Sequence, residues 1–145
     1  ANKDPLIVEK HLLMPVVDHE VSQGGFHDEW RVYGKPNGDE LFSLRQFELA
    51  PGAETVLTGP AALCILHFSH GTGKLGNHDV EVKSGIRLGE PLQDEFVIPY
   101  AAAKAMGGVK LVNTSKTEPL VGTRCWGPEA WGHKMPKAPF ETWPR

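Results

Sequence analysis

Glycine and proline break this chain into short runs, and across residues 41–99 the breaks come about every 8–12 residues. The runs between them are apolar or alternate apolar with polar. Residues 42–49 end at Pro51-Gly52, and residues 61–68 lie between Gly59-Pro60 and Gly71-Thr72-Gly73. Residues 80–83 precede Gly85, and residues 95–98 precede Pro99. Runs of this kind are the signature of antiparallel strands joined by tight turns. Sixteen glycines and twelve prolines point the same way, toward many turns and few long helices. The expected fold is all-β with at least about eight strands and helix below the usual share.

The flanking regions fit around such a core. Residues 6–17 are a first apolar block, and Pro15 with the Val-rich ends favours an extended arm that covers a barrel edge or crosses to a partner subunit. Residues 26–33 read as a strand with Trp30 and Val32 on one face. Pro36-Asn37-Gly38-Asp39 is the strongest turn, because Asn-Gly supplies positive φ cheaply, and it closes a hairpin between the Trp30 and Phe42 strands. Phe42 and Leu44 alternate in one phase and Phe47 and Leu49 in the other, which predicts a bulge near Gln46. Residues 61–68 are nearly all apolar and read as a central strand buried on both faces. Asn77-His78-Asp79 is a turn, residues 84–94 form a long polar connection, and residues 101–106 make one or two helical turns before Gly107-Gly108. Residues 109–112 and 120–126 are the last two strands. From Gly127 onward, Trp131, Phe140 and Trp143 are too apolar for a free tail and are expected to wrap the barrel or a neighbouring subunit. The division is an arm and hairpin (1–40), a barrel (41–126) and a Trp/Pro-rich tail (127–145) of one domain.

Composition narrows the function classes. With 18 acidic and 15 basic residues in 145 and a net charge of −3, the chain has no clustered cations for nucleic acid. No apolar run has the length of a membrane span, and the N-terminus lacks the basic-then-apolar pattern of a secretion signal, so a cytoplasmic location is expected. Cys64 and Cys125 have no CxxC spacing and read as two small buried apolar side chains; their pairing is not legible.

The order of runs and turns resembles the cupin superfamily, over roughly residues 40–126. Within it the likeness is to the C-terminal cupin domain of type I mannose-6-phosphate isomerases, carried by Gly59-Pro60, Gly71-Thr72-Gly73, Gly85 and the Phe96–Pro99 stretch. The resemblance implies a double-sheet jelly-roll barrel, here with an N-terminal arm and an extended C-terminal tail. Most enzymatic cupins hold a divalent metal on histidines and a glutamate, and the matching positions here fall near residues 54–57, 61–64 and 101–105. None of those is histidine, and Ala, Val and Leu cannot ligate a metal. The resemblance therefore implies no metal and no cofactor, and it carries over the scaffold without the isomerase chemistry.

The remaining polar side chains define the candidate site. Arg45 and Arg124 lie in strands among apolar residues; pointing inward, either would bind a carboxylate, phosphate or enolate oxygen, and pointing outward it would make a surface ion pair. Trp30, Tyr33 and Trp126 would line an apolar pocket or pack the core. His67 and His70, at the end of the 61–68 run, are the candidate proton carriers. Asp18-His19-Glu20 and His27-Asp28-Glu29 read as solvated loop charge. The leading expectation is a metal-independent barrel binding a small organic molecule, an acid–base isomerase, cyclase or lyase if catalytic. The alternatives are a non-catalytic binding or assembly module, and a metal enzyme using a non-standard set from His19, Glu20, His27, His67 and His78. The cavity is expected to open where His67 and His70 meet the 84–94 loop, and replacing either arginine is expected to leave folding largely intact if that arginine serves the site rather than the core. Arm and tail together predict a homodimer.

Overall fold

The structure is a computed structural model that describes residues 12–35, 38–85 and 87–138. Among these residues ten strands form two antiparallel sheets. The larger sheet takes β1 (Val16–Val17), β2 (Phe26–Val32), β3 (Ser43–Leu49), β5 (Cys64–His70), β8 (Glu95–Ile98) and β10 (Leu120–Trp126), in the order β1-β2-β3-β10-β5-β8. The smaller takes β4 (Glu54–Leu57), β6 (Thr72–Leu75), β7 (His78–Glu81) and β9 (Val109–Asn113), in the order β4-β9-β6-β7. A helix, α1 (Tyr100–Met106), ends at Gly107, whose positive φ supplies the C-terminal cap as its sequence predicts. This is the all-β, double-sheet jelly roll of the cupin type.

The two sheets share one core because their strands alternate. On β3 the buried positions are Ser43, Arg45, Phe47 and Leu49; on β10 they are Leu120, Gly122, Arg124 and Trp126. Cross-strand register then stacks them in layers: Phe26 and Leu120 flank Leu49, Asp28 and Gly122 flank Phe47, and Trp30 and Arg124 flank Arg45. The lower layers are packed with Phe26, Phe47, Leu49, Leu66, Phe68, Leu111 and Leu120. Phe47 lies edge-on to Phe68, with ring centroids 5.7 Å apart. Each such side chain taken from water contributes about 1.5–3 kcal/mol. Asn113 pins this end, donating from its amide to the carbonyls of Leu49 and Glu118 while accepting from the Ser115 amide. The β7 edge closes against the larger sheet through the Glu81–Gln93 bridge.

Three local expectations are corrected. β3 runs unbroken opposite β10 from Ser43 to Leu49, with no bulge at Gln46. The apolar phase changes there because the inward positions switch from Phe47 and Leu49 to the polar Arg45 and Ser43. The bulge lies instead on β2 between Trp30 and Val32, so Trp30 faces the interior while Val32 faces out with Leu44. Third, residues 61–68 are not buried on both faces: β5 begins at Cys64 and leaves Ile65 51% exposed. The β2–β3 hairpin forms as expected, although Pro36 and Asn37 of its turn lie outside the described residues. So do residues 1–11 of the arm and 139–145 of the tail. The described part of the tail packs back on its own chain, where Ala138 joins Trp30 and Tyr33 in a second apolar cluster with Leu13, Val16, Trp131 and Met135 at its margin.

Gly122 is where layering demands the smallest residue. A Cβ there would stand 2.6 Å from Phe47 Cζ and 2.8 Å from the His67 carbonyl oxygen. Gly122→Ala is therefore expected to cost about 1–3 kcal/mol by overpacking. A urea titration checks this, as a lower midpoint with an unchanged slope.

Candidate functional site

Two cations face each other inside the barrel. Arg45 and Arg124 are direct cross-strand partners on the same face of β3 and β10. Like charges so placed repel, and both are almost fully buried, at 1% and 4% exposure. The sheet supplies the counter-ion from the next strand: Asp28 on β2 is fully buried, and its Oδ2 lies 2.9 Å from Arg45 Nη2 and 2.6 Å from Arg124 Nη2. A second carboxylate, Asp18, follows β1 directly and accepts from Arg45 Nη2 at 2.7 Å. Arg124 also donates from Nη1 to the Thr58 carbonyl at 2.8 Å. Two guanidiniums and two carboxylates leave the cluster neutral. Arg45 Nε, Arg124 Nε and Asp28 Oδ1 are buried without a hydrogen-bond partner among the described residues.

Three indoles complete the constellation. Trp131, from the tail, meets Trp30 edge-on at 5.1 Å between centroids and Trp126 at 4.9 Å. The Arg45 guanidinium carbon lies 4.7 Å from the centroids of both Trp30 and Trp131, and that of Arg124 lies 5.0 Å from Trp126. Such cation–π contacts gain strength in a desolvated site, where each is worth up to about 2 kcal/mol.

The cluster borders a cavity of about 850 Å³ between the β1 edge of the larger sheet and the β4 edge of the smaller. Val17, Val21, Phe26, Val56 and Pro60 give it apolar walls; Trp30, Trp131, Arg45 and Arg124 form its polar–aromatic side. Asp18, His19, Glu20, His133 and Lys134 stand around it as titratable groups.

Burial opposes ionisation of Asp18, but the hydrogen bond and charge of Arg45, with the amides of Glu20 and Val21, more than offset it and hold the carboxyl below its ordinary value. Burial lowers the pKa of Arg124, with Asp28 pulling it back up and the like charge of Arg45 pushing it down. The group stays cationic at any working pH. Cys64, which lies across from Trp126, has its thiol pushed up to about 11 by burial, so it is no nucleophile.

The structure brings Arg45, Arg124 and Trp30 together at the cavity; Trp126 lies against Arg124 and Trp131 without bordering it, and the other candidates stand apart. Tyr33 is buried, donating its hydroxyl to the Met14 carbonyl at 2.7 Å, and does not border the cavity. His67 and His70 are exposed at the far end of β5, beside Glu95 at 3.5 Å and Glu118 at 3.0 Å. Neither they nor the 84–94 loop borders the cavity, so the expected mouth at that end is corrected: the β1 and β4 edges flank it instead. Both arginines pair with the buried Asp28, so each is placed to serve the core as well as the site. Asp28 is the residue the sequence reading missed, as solvated charge. Its signal was the period of two: with Phe26 and Trp30 inward, Asp28 must be inward too. Asp18 and Trp131 were named but not placed together, because their contacts span the whole chain.

Among the described residues no group of three or more His, Cys, Asp or Glu is placed to hold a metal ion. No described helix is long and apolar enough to cross a membrane.

Comparison with known proteins agrees on fold alone. No family model matches the chain, and no curated protein matches it in sequence. In structure it is similar to the polyketide cyclase RemF of Streptomyces resistomycificus, with TM-score 0.53, 14% identity, and coverage of 89% of this chain and 85% of that one. It is also similar to an RmlC-like cupin of Shewanella frigidimarina, with TM-score 0.49, 10% identity and coverage of 79% and 85%. A cupin-2 domain of Rhodospirillum rubrum gives TM-score 0.47, 16% identity and coverage of 79% and 67%.

The Asp18–Arg45 pair makes a pH prediction. A carboxyl whose folded pKa lies below its unfolded value stabilises fully above the unfolded value, near 4, and stops doing so as pH falls through the folded one. Asp18→Asn should therefore be less stable than the parent at pH 7, with the two converging below about pH 4. Urea midpoints across that range decide it; a constant gap would show that charge at position 18 is irrelevant.

Proposed function

We propose that the chain binds a small, planar, carbonyl- or hydroxyl-bearing organic molecule in the cavity between the β1 and β4 edges. The observation that carries this is the pair of buried guanidiniums, Arg45 and Arg124, bordering a cavity with mixed polar and apolar walls beside Trp30 and Trp131. Flat aromatic walls favour a flat ligand. The neutrality of the cluster selects among oxygen ligands: Asp18 and Asp28 already balance both arginines, so a phosphate would enter uncompensated. A carbonyl oxygen, or an enol whose oxygen gains charge as a reaction proceeds, needs only spare N–H donors in a dry site.

This makes acid–base cyclisation, isomerisation or elimination the chemistry that the site suits. The arginines would stabilise an enolate oxygen, and His19 or His133, both bordering the cavity, would carry the proton in place of His67 and His70. That a structural neighbour is a polyketide cyclase is consistent with this reading, at the level of fold. A second reading is favoured by one observation: the ion cluster closes largely on itself, as it would in a binding module without catalysis. The likeness to the C-terminal domain of mannose-6-phosphate isomerases belongs to that second reading.

Tryptophan fluorescence tests the proposal, because Trp30 and Trp131 border the cavity. Titration with 1-hydroxy-9,10-anthraquinone as the probe, planar and uncharged at pH 7, should quench it saturably. Inorganic phosphate should not, and Trp131→Ala should weaken the probe at least tenfold, about 1.4 kcal/mol. Saturable phosphate binding, or probe binding indifferent to Trp131, would contradict the reading. Loss of turnover with intact binding in His19→Ala or His133→Ala would separate the enzyme from the binding module.

A further inference from the structure

The larger sheet also has an outer face, and one row across it is apolar on five neighbouring strands. Register aligns Val32, Leu44, Cys125, Ile65 and Val97 on β2, β3, β10, β5 and β8. Leu44 and Cys125 each stand one residue from an inward-facing arginine, so the row points away from the core. Ile65 is 51% and Val97 64% exposed, and Leu63 at 51% and Phe42 at 42% extend the apolar area beyond the row. At about 4.8 Å per strand the row is ~20 Å wide. The next outward row on the other side is polar: Glu29, Gln46, Thr123, His67 and Glu95. An isolated exposed Ile needs no explanation, but a contiguous apolar band bordered by polar residues marks an interaction surface.

We propose that a second copy of this chain covers the band, face to face, with a two-fold axis along β10 that sets Cys125 opposite Cys125 of the second copy. The row is self-complementary about its middle member. A half-turn about β10 places Leu44 on Ile65 of the second copy, and Val32 on Val97, so each apolar side chain meets another. The same operation sets the polar row on the polar row: Thr123 meets its own copy and Gln46 meets His67 of the second copy. Glu29 falls near Glu95 of the second copy, and Arg31, already ion-paired to Glu29, supplies the cation between them. Any two-fold axis perpendicular to the strands would set the polar row against Leu63 and Phe42, which is why the axis follows the strands. Aligned sheets pack in this way at about 30° to each other. A band ~20 Å wide and about two residue rows, ~14 Å, tall gives on the order of 300 Å² of apolar centre, and its polar rim brings it toward the roughly 800 Å² per partner of a standard interface.

The same arrangement accounts for β5. Residues 61–68 have the composition of a strand covered on both faces, and the second copy would cover the outer one. It also puts the interface and the site on one scaffold, since Leu44-Arg45 and Arg124-Cys125 each carry one residue inward and one outward.

Light scattering and thiol labelling test this together. The parent should have the mass of a dimer in which Cys125, at the centre of the covered band, resists N-ethylmaleimide, and Cys125 should become labelled once Ile65→Glu dissociates the pair, with Cys64→Ser leaving that difference unchanged. Ile65→Glu should weaken the dimer at least ~100-fold and leave the far-UV spectrum unaltered, because its site is half exposed in one chain. If Ile65→Glu does not fold, Val97→Asp serves the same purpose at a more exposed position. A monomeric parent overturns the proposal, and so does a dimer that survives these substitutions or leaves Cys125 open to the maleimide.

Discussion

Everything at the open side of this barrel depends on one carboxylate. Asp28 sits on β2 with no exposure, touching the guanidiniums of both Arg45 and Arg124 through a single oxygen. Without it the sheet would place two buried cations side by side across β3 and β10. Taking a charge out of water costs several kcal/mol, and only close opposite charge and hydrogen bonding offset that. The pairing therefore has to be tight, and it has to be completed by Asp18 from the β1 side. The arm reaches the site through this contact.

The barrel consequently has two kinds of interior. Below the level of Asp28 it is filled with Phe and Leu and closed by Asn113. Above it, the inward positions are Arg45, Arg124, Ser43, Trp30 and Trp126, and the space beside them stays open. The tail is part of that upper end, because Trp131 lies against Trp30, Trp126 and Arg45 at once. A ligand entering there would meet aromatic faces and the N–H donors of two buried guanidiniums, groups that stabilise an oxygen gaining negative charge.

Much of this was legible in the residues. Turn spacing gave the strands, the helix cap and the sheet-rich class, and the two strand arginines stood out as the side chains with chemistry. The phase change at Gln46 was also visible, but apolar alternation alone reads it as a bulge, when the inward positions had in fact become polar. That confusion hid Asp28, whose neighbours Phe26 and Trp30 share its parity. The position of the cavity was not legible, because it depends on which sheet edges come together: β1 and β4 are far apart in the chain. His67 and His70 were attractive as a histidine pair at a strand end, yet strand ends alternate between two barrel mouths and the pair belongs to the closed one.

The central claim is that Asp28 holds two cations that would otherwise not coexist, and chemical denaturation of a small set of variants tests it directly. Asp28→Asn should destabilise by about 3–5 kcal/mol, because it leaves both guanidiniums buried and underpaired. Replacing all three at once, with Asp28→Leu, Arg45→Met and Arg124→Met, should recover most of that loss, because apolar side chains of similar volume remove the fully buried charges and leave only the partly exposed Asp18. Additive losses across the three positions, or an Asp28→Asn variant as stable as its parent, would contradict the account.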